Sequence, residues 1–98
     1  MKHFLLFYDL ADIYLEKCGQ YRNEHLKLLW DASARGELLL GGVLFDPFDT
    51  ALIMFINKMA AENFVKVDSY YANGLIKLYR ICEWVIVVGE MVANLVWS

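Results

Sequence analysis

The chain has 98 residues, of which 59% are hydrophobic and 21% charged, with a formal net charge of -3. That length suits one small domain, and an acidic balance with scattered basic residues excludes a general nucleic-acid binder, which needs a basic patch. A domain of this size buries only roughly 60–65% of its extended-chain surface, so a composition this apolar predicts a homo-oligomer whose subunit contact covers the remainder.

The opening M-K-H-F-L-L-F-Y-D turns acidic after a short apolar run and offers no small-residue cleavage site, so the expected location is the cytoplasm. Lys2 to Tyr8 reads as a strand, hydrophobic almost throughout and therefore central in a sheet. Tyr14, Cys18, Tyr21, His25, Leu28 and Ala32 then repeat at helical spacing, and Gly36 is placed to stop that helix. Gly19 weakens its first turns and leaves the start open between Tyr14 and Tyr21. Glu37 to Phe45 and Thr50 to Ile56 flank D-P-F-D and read as a β-hairpin. Met59, Ala60, Phe64 and Val67 resume helical spacing, with Asn57 as N-cap and Asp68 at the far end. Tyr70 to Gly74 reads as loop, and Leu75 to Val88 contains the last strand. The segment W-V-I-V-V-G-E-M-V-A-N-L-V-W is broken by Glu90 and Asn94 and falls short of the roughly 20 residues that span a bilayer. No membrane association is expected. Residues 90–98 form a tail, whose Val92, Leu95 and Trp97 are expected to pack on the same or a neighbouring subunit.

Little in the sequence favours a bound inorganic or organic cofactor. Cys18 and Cys82 are far apart and read as small hydrophobes. His3 and His25 are the only histidines and form no metal-ligand spacing. Gly41 and Gly42 end a strand and do not form a phosphate-binding loop. No metal and no cofactor are therefore expected.

The order β-α-β-β-α-β is the ferredoxin-like plan, an α+β fold with two helices on one face of a four-stranded antiparallel sheet. Its other face is bare unless a second sheet packs on it, as in a dimeric α+β barrel, and the strands here are apolar on both faces. Within that plan the sequence resembles the YCII-related (YciI-like) family. R-N-E-H-L matches the family's R-x-x-H-L through Arg22, His25 and Leu26. G-E-L-L-L-G-G-V matches its helix-to-strand run through Gly36 and Gly42, and D-S-Y-Y-A-N-G-L resembles D-P-Y-x-x-A-G-L through Asp68, Tyr70, Gly74 and Leu75. Val43, Ser69 and Asn73 depart from proline, proline and alanine. The resemblance covers residues 1–89, read as the core of a single domain, and implies a homodimer with a His25/Asp68 active site. It implies acid–base chemistry, an elimination or isomerisation, on a small anionic or aromatic molecule.

Physical chemistry offers two readings of each residue. His25 is either a helix-face histidine satisfied by a local hydrogen bond or a proton-transfer group oriented by a carboxylate. Asp68 is either a plain helix-end carboxylate, poorly placed against the macrodipole, or that orienting group. Arg22 is either a surface charge or an anion clamp. Tyr8, Tyr70, Tyr71, Phe4 and Phe7 are candidate walls for a ring-shaped ligand, with packing in the core the favoured reading of each phenylalanine. Helix geometry adds a condition, because antiparallel helices put Asp68 near the first half of the first helix. Contact with His25 is favoured by a helix start near Gly19 or Tyr21. A non-catalytic ligand-binding module on the same fold is the alternative function.

Overall fold

The computed structural model describes residues 2–89. The expected tail, including Val92, Leu95 and Trp97, lies outside the described residues. Strand β1 (Lys2–Leu10) leads to α1 (Tyr14–Ala34), then β2 (Leu38–Val43), β3 (Thr50–Phe55), α2 (Lys58–Val67), a short α3 (Ser69–Ala72) and β4 (Ile76–Val85). The sheet order is β2-β3-β1-β4, and every neighbouring pair is antiparallel. This is the ferredoxin-like arrangement, the protomer fold of dimeric α+β barrels. The apolar strand β1 sits centrally, as its unbroken hydrophobicity requires.

Local chemistry sets the boundaries. Asn57 accepts the Ala60 amide at 2.8 Å and caps α2. At the end of α1, Gly36 adopts φ 78°, and the amides of Gly36 and Glu37 return to the carbonyls of Ser33 and Ala32. That left-handed turn is what a glycine after a helix supplies. Helix α1 begins at Tyr14, so Gly19 lies inside it; its apolar stripe outweighs one glycine's propensity penalty of about 1 kcal/mol.

Alternation along the strands separates two environments. Leu6, Tyr8 and Leu10 of β1, with Ile53 and Phe55 of β3, are buried beneath the helices, where Phe64 and Leu75 join them. The intervening residues face the other way. There Leu5, Leu40, Leu52, Met54 and Trp84 line a shallow groove of about 370 Å³ on the face that none of the described helices covers.

One expectation is corrected. The segment after Asp68 is a turn of helix, α3, rather than a loop. Four residues carry too little periodicity to show in a sequence, and here the Asp68 side chain starts the turn by accepting the Tyr70 amide at 3.1 Å.

Candidate functional site

Asp68 ends one helix and begins the next. Its backbone leaves the helical region (φ -71°, ψ 121°), which stops α2, and its Oδ1 caps α3. The expected conflict with a helix C-terminus is thus offset by a hydrogen bond that only a break in the chain provides. The same Oδ1 lies 2.7 Å from Nδ1 of His25, whose side chain is 12% exposed against 0% for Asp68. Because Oδ1 already accepts an amide proton, it serves as an acceptor toward the ring as well, so Nδ1 carries the hydrogen and donates. Nε2 is then the free nitrogen. It has no protein partner among the described residues and is not among the buried unpaired atoms.

The imidazole is held on three sides. Tyr70 stacks on it face to face, with centroids 3.7 Å apart and planes 7° off parallel, and Phe64 meets it edge-on at 6.2 Å. Tyr70 is fixed in turn, since its hydroxyl donates to the Cys18 carbonyl at 3.4 Å and the Tyr14 ring packs against it at 90°. Carboxylate, stacked ring and edge contact together define one orientation.

The contact forms although α1 starts at Tyr14, so the geometric condition drawn from the sequence was not needed. What it omitted is α3: the break at Asp68 turns the chain along α1, carrying Asp68 and Tyr70 against its middle turns.

Tyr8, Leu10 and Ile76 from the sheet and Tyr14, Arg22, His25 and Leu26 from α1 surround a cavity of about 360 Å³. Gly41, Gly42, Val43 and Ala51 close its side toward the hairpin. The size suits a small ring compound. Arg22 is exposed at the cavity; its Nη2 donates to the Cys18 thiol at 3.5 Å, and it has no carboxylate partner among the described residues. Burial pushes the Tyr70 hydroxyl pKa up, while Arg22 opposes the rise. Burial pushes Tyr14 up to about 12, with Tyr70 and Cys18 adding to it. Tyr8 is pushed far up, first by burial and then by the neighbouring Asp68 carboxylate.

His25, Arg22, Tyr8 and Tyr70 therefore border one cavity, with Asp68 behind the imidazole. Other suggested walls lie elsewhere. Phe4 is absent from the lining. Phe7 lies on the uncovered sheet face, 4.3 Å beneath the Arg80 guanidinium, and Tyr71 pairs with Tyr79. Strand alternation accounts for Phe7, which shares β1 with Tyr8 and so must face away from it. Tyr14 was overlooked as a wall, although it belongs to the same helical stripe as His25. Among the described residues no cluster of three or more His, Cys, Asp or Glu side chains could hold a metal, and no helix is long and apolar enough to cross a membrane.

Fold and site together define a ferredoxin-like domain with a buried His–Asp pair beside an aromatic-walled cavity. No known family profile matches the sequence, and no curated protein does. Among solved structures, the fold is similar to 5-chloro-2-hydroxyhydroquinone dehydrochlorinase from Burkholderia phenoliruptrix AC1100 in complex with 2,5-dihydroxybenzoquinone. The TM-score is 0.71 at 16% identity, over 84% of this chain and 92% of that one. A NIPSNAP family protein from Agrobacterium tumefaciens gives 0.53 at 15% identity, over 86% and 90%. Another protein from that organism gives 0.53 at 12%, over 86% and 91%. At these identities the likeness concerns the fold alone.

Proposed function

We propose that the protein is a cofactor-free, YCII-like enzyme that moves a proton on a small anionic or aromatic molecule in an elimination or isomerisation. It acts as a cytoplasmic homodimer joined through the uncovered sheet face. The carrying observation is the 2.7 Å contact between His25 Nδ1 and buried Asp68 Oδ1 at the edge of the cavity. With Nδ1 committed to the carboxylate, Nε2 accepts a proton from a substrate C–H or O–H, and the resulting imidazolium faces Asp68. In an elimination, the electron pair from the broken bond forms the new π bond while the leaving group departs with its own bonding pair; in an isomerisation, Nε2 returns the proton at another carbon. Arg22, a cation without a carboxylate partner among the described residues, attracts the substrate's negative charge. The R-x-x-H-L match through Arg22, His25 and Leu26 and the dehydrochlorinase of similar fold support this reading.

The test is a panel of small carboxylates, phenols and enolisable ketones offered to wild type and His25→Asn. Turnover of a panel member by wild type, lost in the variant while that compound still binds, is the expected result. Binding without turnover, unchanged by the substitution, would instead make the protein a ligand-binding module.

A further inference from the structure

Three tyrosines line the cavity, and their hydroxyls differ in what they offer a ligand. That of Tyr8 is a buried atom in a residue 1% exposed, out of a ligand's reach. Tyr70 gives its ring face to His25 at 3.7 Å and its hydroxyl proton to the Cys18 carbonyl at 3.4 Å. Tyr14 is half-buried, and its hydroxyl is not among the buried unpaired atoms. We infer that Tyr14 is a further catalytic residue of this cavity, its hydroxyl donating a hydrogen bond to the oxygen of a ring ketone or phenol on which negative charge collects when His25 removes a proton. This rests on the proposed acid–base role of His25.

Tyr14, Cys18, Arg22 and His25 follow one another at helical steps along α1 and share one face of it. The Tyr14 ring packs on Tyr70, 5.6 Å away and perpendicular, and on Phe48, 5.8 Å away. Because Tyr14 and His25 both contact the Tyr70 ring, a ligand the size of one ring can reach both. The Tyr70 hydroxyl is able to accept from Tyr14 but has its own proton on Cys18. An anionic oxygen accepts more strongly than a neutral phenol, so a charged ligand oxygen takes the Tyr14 hydrogen bond. Burial first, then Tyr70, hold the Tyr14 pKa up at about 12, and at neutral pH it donates without losing its proton. In the reaction, the electron pair left by the broken C–H bond moves onto the carbonyl oxygen and gives an enolate. That pair returns to expel the leaving group, or to take the proton back from the imidazolium at another carbon. Tyr14 keeps its own proton throughout and stabilises the oxyanion.

Binding of para-nitrophenol tests this without turnover, because its phenolate mimics the enolate and absorbs visible light. Nitrobenzene keeps the ring and the nitro group but lacks the oxygen. Wild type should bind the phenolate about tenfold more tightly than Tyr14→Phe does, and should lower the pKa of the bound phenol further, while nitrobenzene binds both proteins alike. Equal phenolate affinity in the two proteins, an equal loss of both probes in Tyr14→Phe, or no phenolate binding to wild type would overturn the inference. Deuterium uptake by ring ketones keeps it apart from the reading beneath it. Exchange that depends on His25, alongside phenolate affinity indifferent to Tyr14, overturns the role of Tyr14 alone. No exchange of any compound, alongside affinity that depends on Tyr14, overturns the acid–base reading and the catalytic role of Tyr14 with it. Should Tyr14→Phe fail to fold, fluorotyrosine incorporated at Tyr14 decides the matter by fluorine NMR. A resonance that moves with the phenolate and not with nitrobenzene supports the contact, and equal responses to both overturn it.

Discussion

Helices α2 and α1 cover the same face of the sheet in different ways. Within ten residues α2 buries Ala60, Ala61, Phe64 and Val65, whereas α1, with 21 residues, buries only Cys18 and Ala32. Packing over β1, β3 and β4 seats α2 on one half of the sheet. Looser packing beside Gly41, Gly42 and Ala51 leaves the other half with a cavity, and the ionisable groups collect there. Close packing is the default of a protein interior, so space maintained next to a positioned histidine is what distinguishes the α1 half. The joint between the halves is Asp68 with α3.

Unequal packing predicts unequal costs. Phe64→Ala on the tight side should destabilise the fold by about 3–5 kcal/mol in urea unfolding, because surrounding atoms cannot collapse into the gap. Leu29→Ala, beside the existing cavity, should cost about 1 kcal/mol or less. Equal losses would erase the distinction.

Alkaline unfolding samples both halves. Tyr14 at the cavity rises from 10.0 to about 12, and Tyr8 in the central strand rises further. A tyrosine with a raised folded pKa binds its proton more tightly when folded. Its stabilisation is present below the unfolded value and declines as pH climbs through the folded one. Urea midpoints should therefore fall from pH 10 upward, and Tyr14→Phe should fall less steeply between pH 10 and about 12. Parallel curves would contradict the burial of this hydroxyl.

At the joint, Ser69 occupies the first position of α3, and the Asp68 backbone already has the extended ψ of 121° that a following proline requires. Ser69→Pro should stabilise the protein by about 0.4–1 kcal/mol, through loss of unfolded-state freedom. A lower melting temperature would mean the proline ring does not fit beneath α1.

The smallest stability effect is expected at the cavity wall. A Cβ at Gly41 meets the Ile53 side chain at an ordinary 3.7 Å, so Gly41→Ala should change stability by no more than about 0.5 kcal/mol. Gly41→Val should weaken any ligand of this cavity by about tenfold or more, since the new side chain takes up ligand volume. Calorimetry on panel compounds checks the second effect, and unchanged affinity would place their binding elsewhere.

The same contrast explains what the sequence made legible. Strong periodic signals located the elements that pack: the apolar run of β1, the stripe of α1 and the Asn57 cap. R-x-x-H-L and the D-S-Y-Y segment pointed to Arg22, His25, Asp68 and Tyr70, and these groups do meet at one place. The means by which they meet was hidden. Asp68 acts through a break in α2 and a single turn of α3, features set by one side-chain hydrogen bond rather than by repetition. Tyr14 and Gly41 were read as core face and strand end because a cavity is an absence of packing, which a hydrophobic pattern does not record. The place of Phe7 was legible as well, since alternation from Tyr8 puts it on the other side of the sheet, where it packs beneath Arg80.

Proton abstraction by His25 is best measured by deuterium uptake. The same panel of carboxylates, phenols and enolisable ketones, incubated in deuterated buffer, reports C–H cleavage by proton NMR even where no further product forms. Wild type should exchange or convert at least one compound faster than buffer, and His25→Asn should lower that rate by about 10²–10⁴-fold, the range general acid–base catalysis supplies. Exchange that proceeds equally in His25→Asn, or no exchange of any compound that binds the cavity, would contradict acid–base chemistry at this histidine.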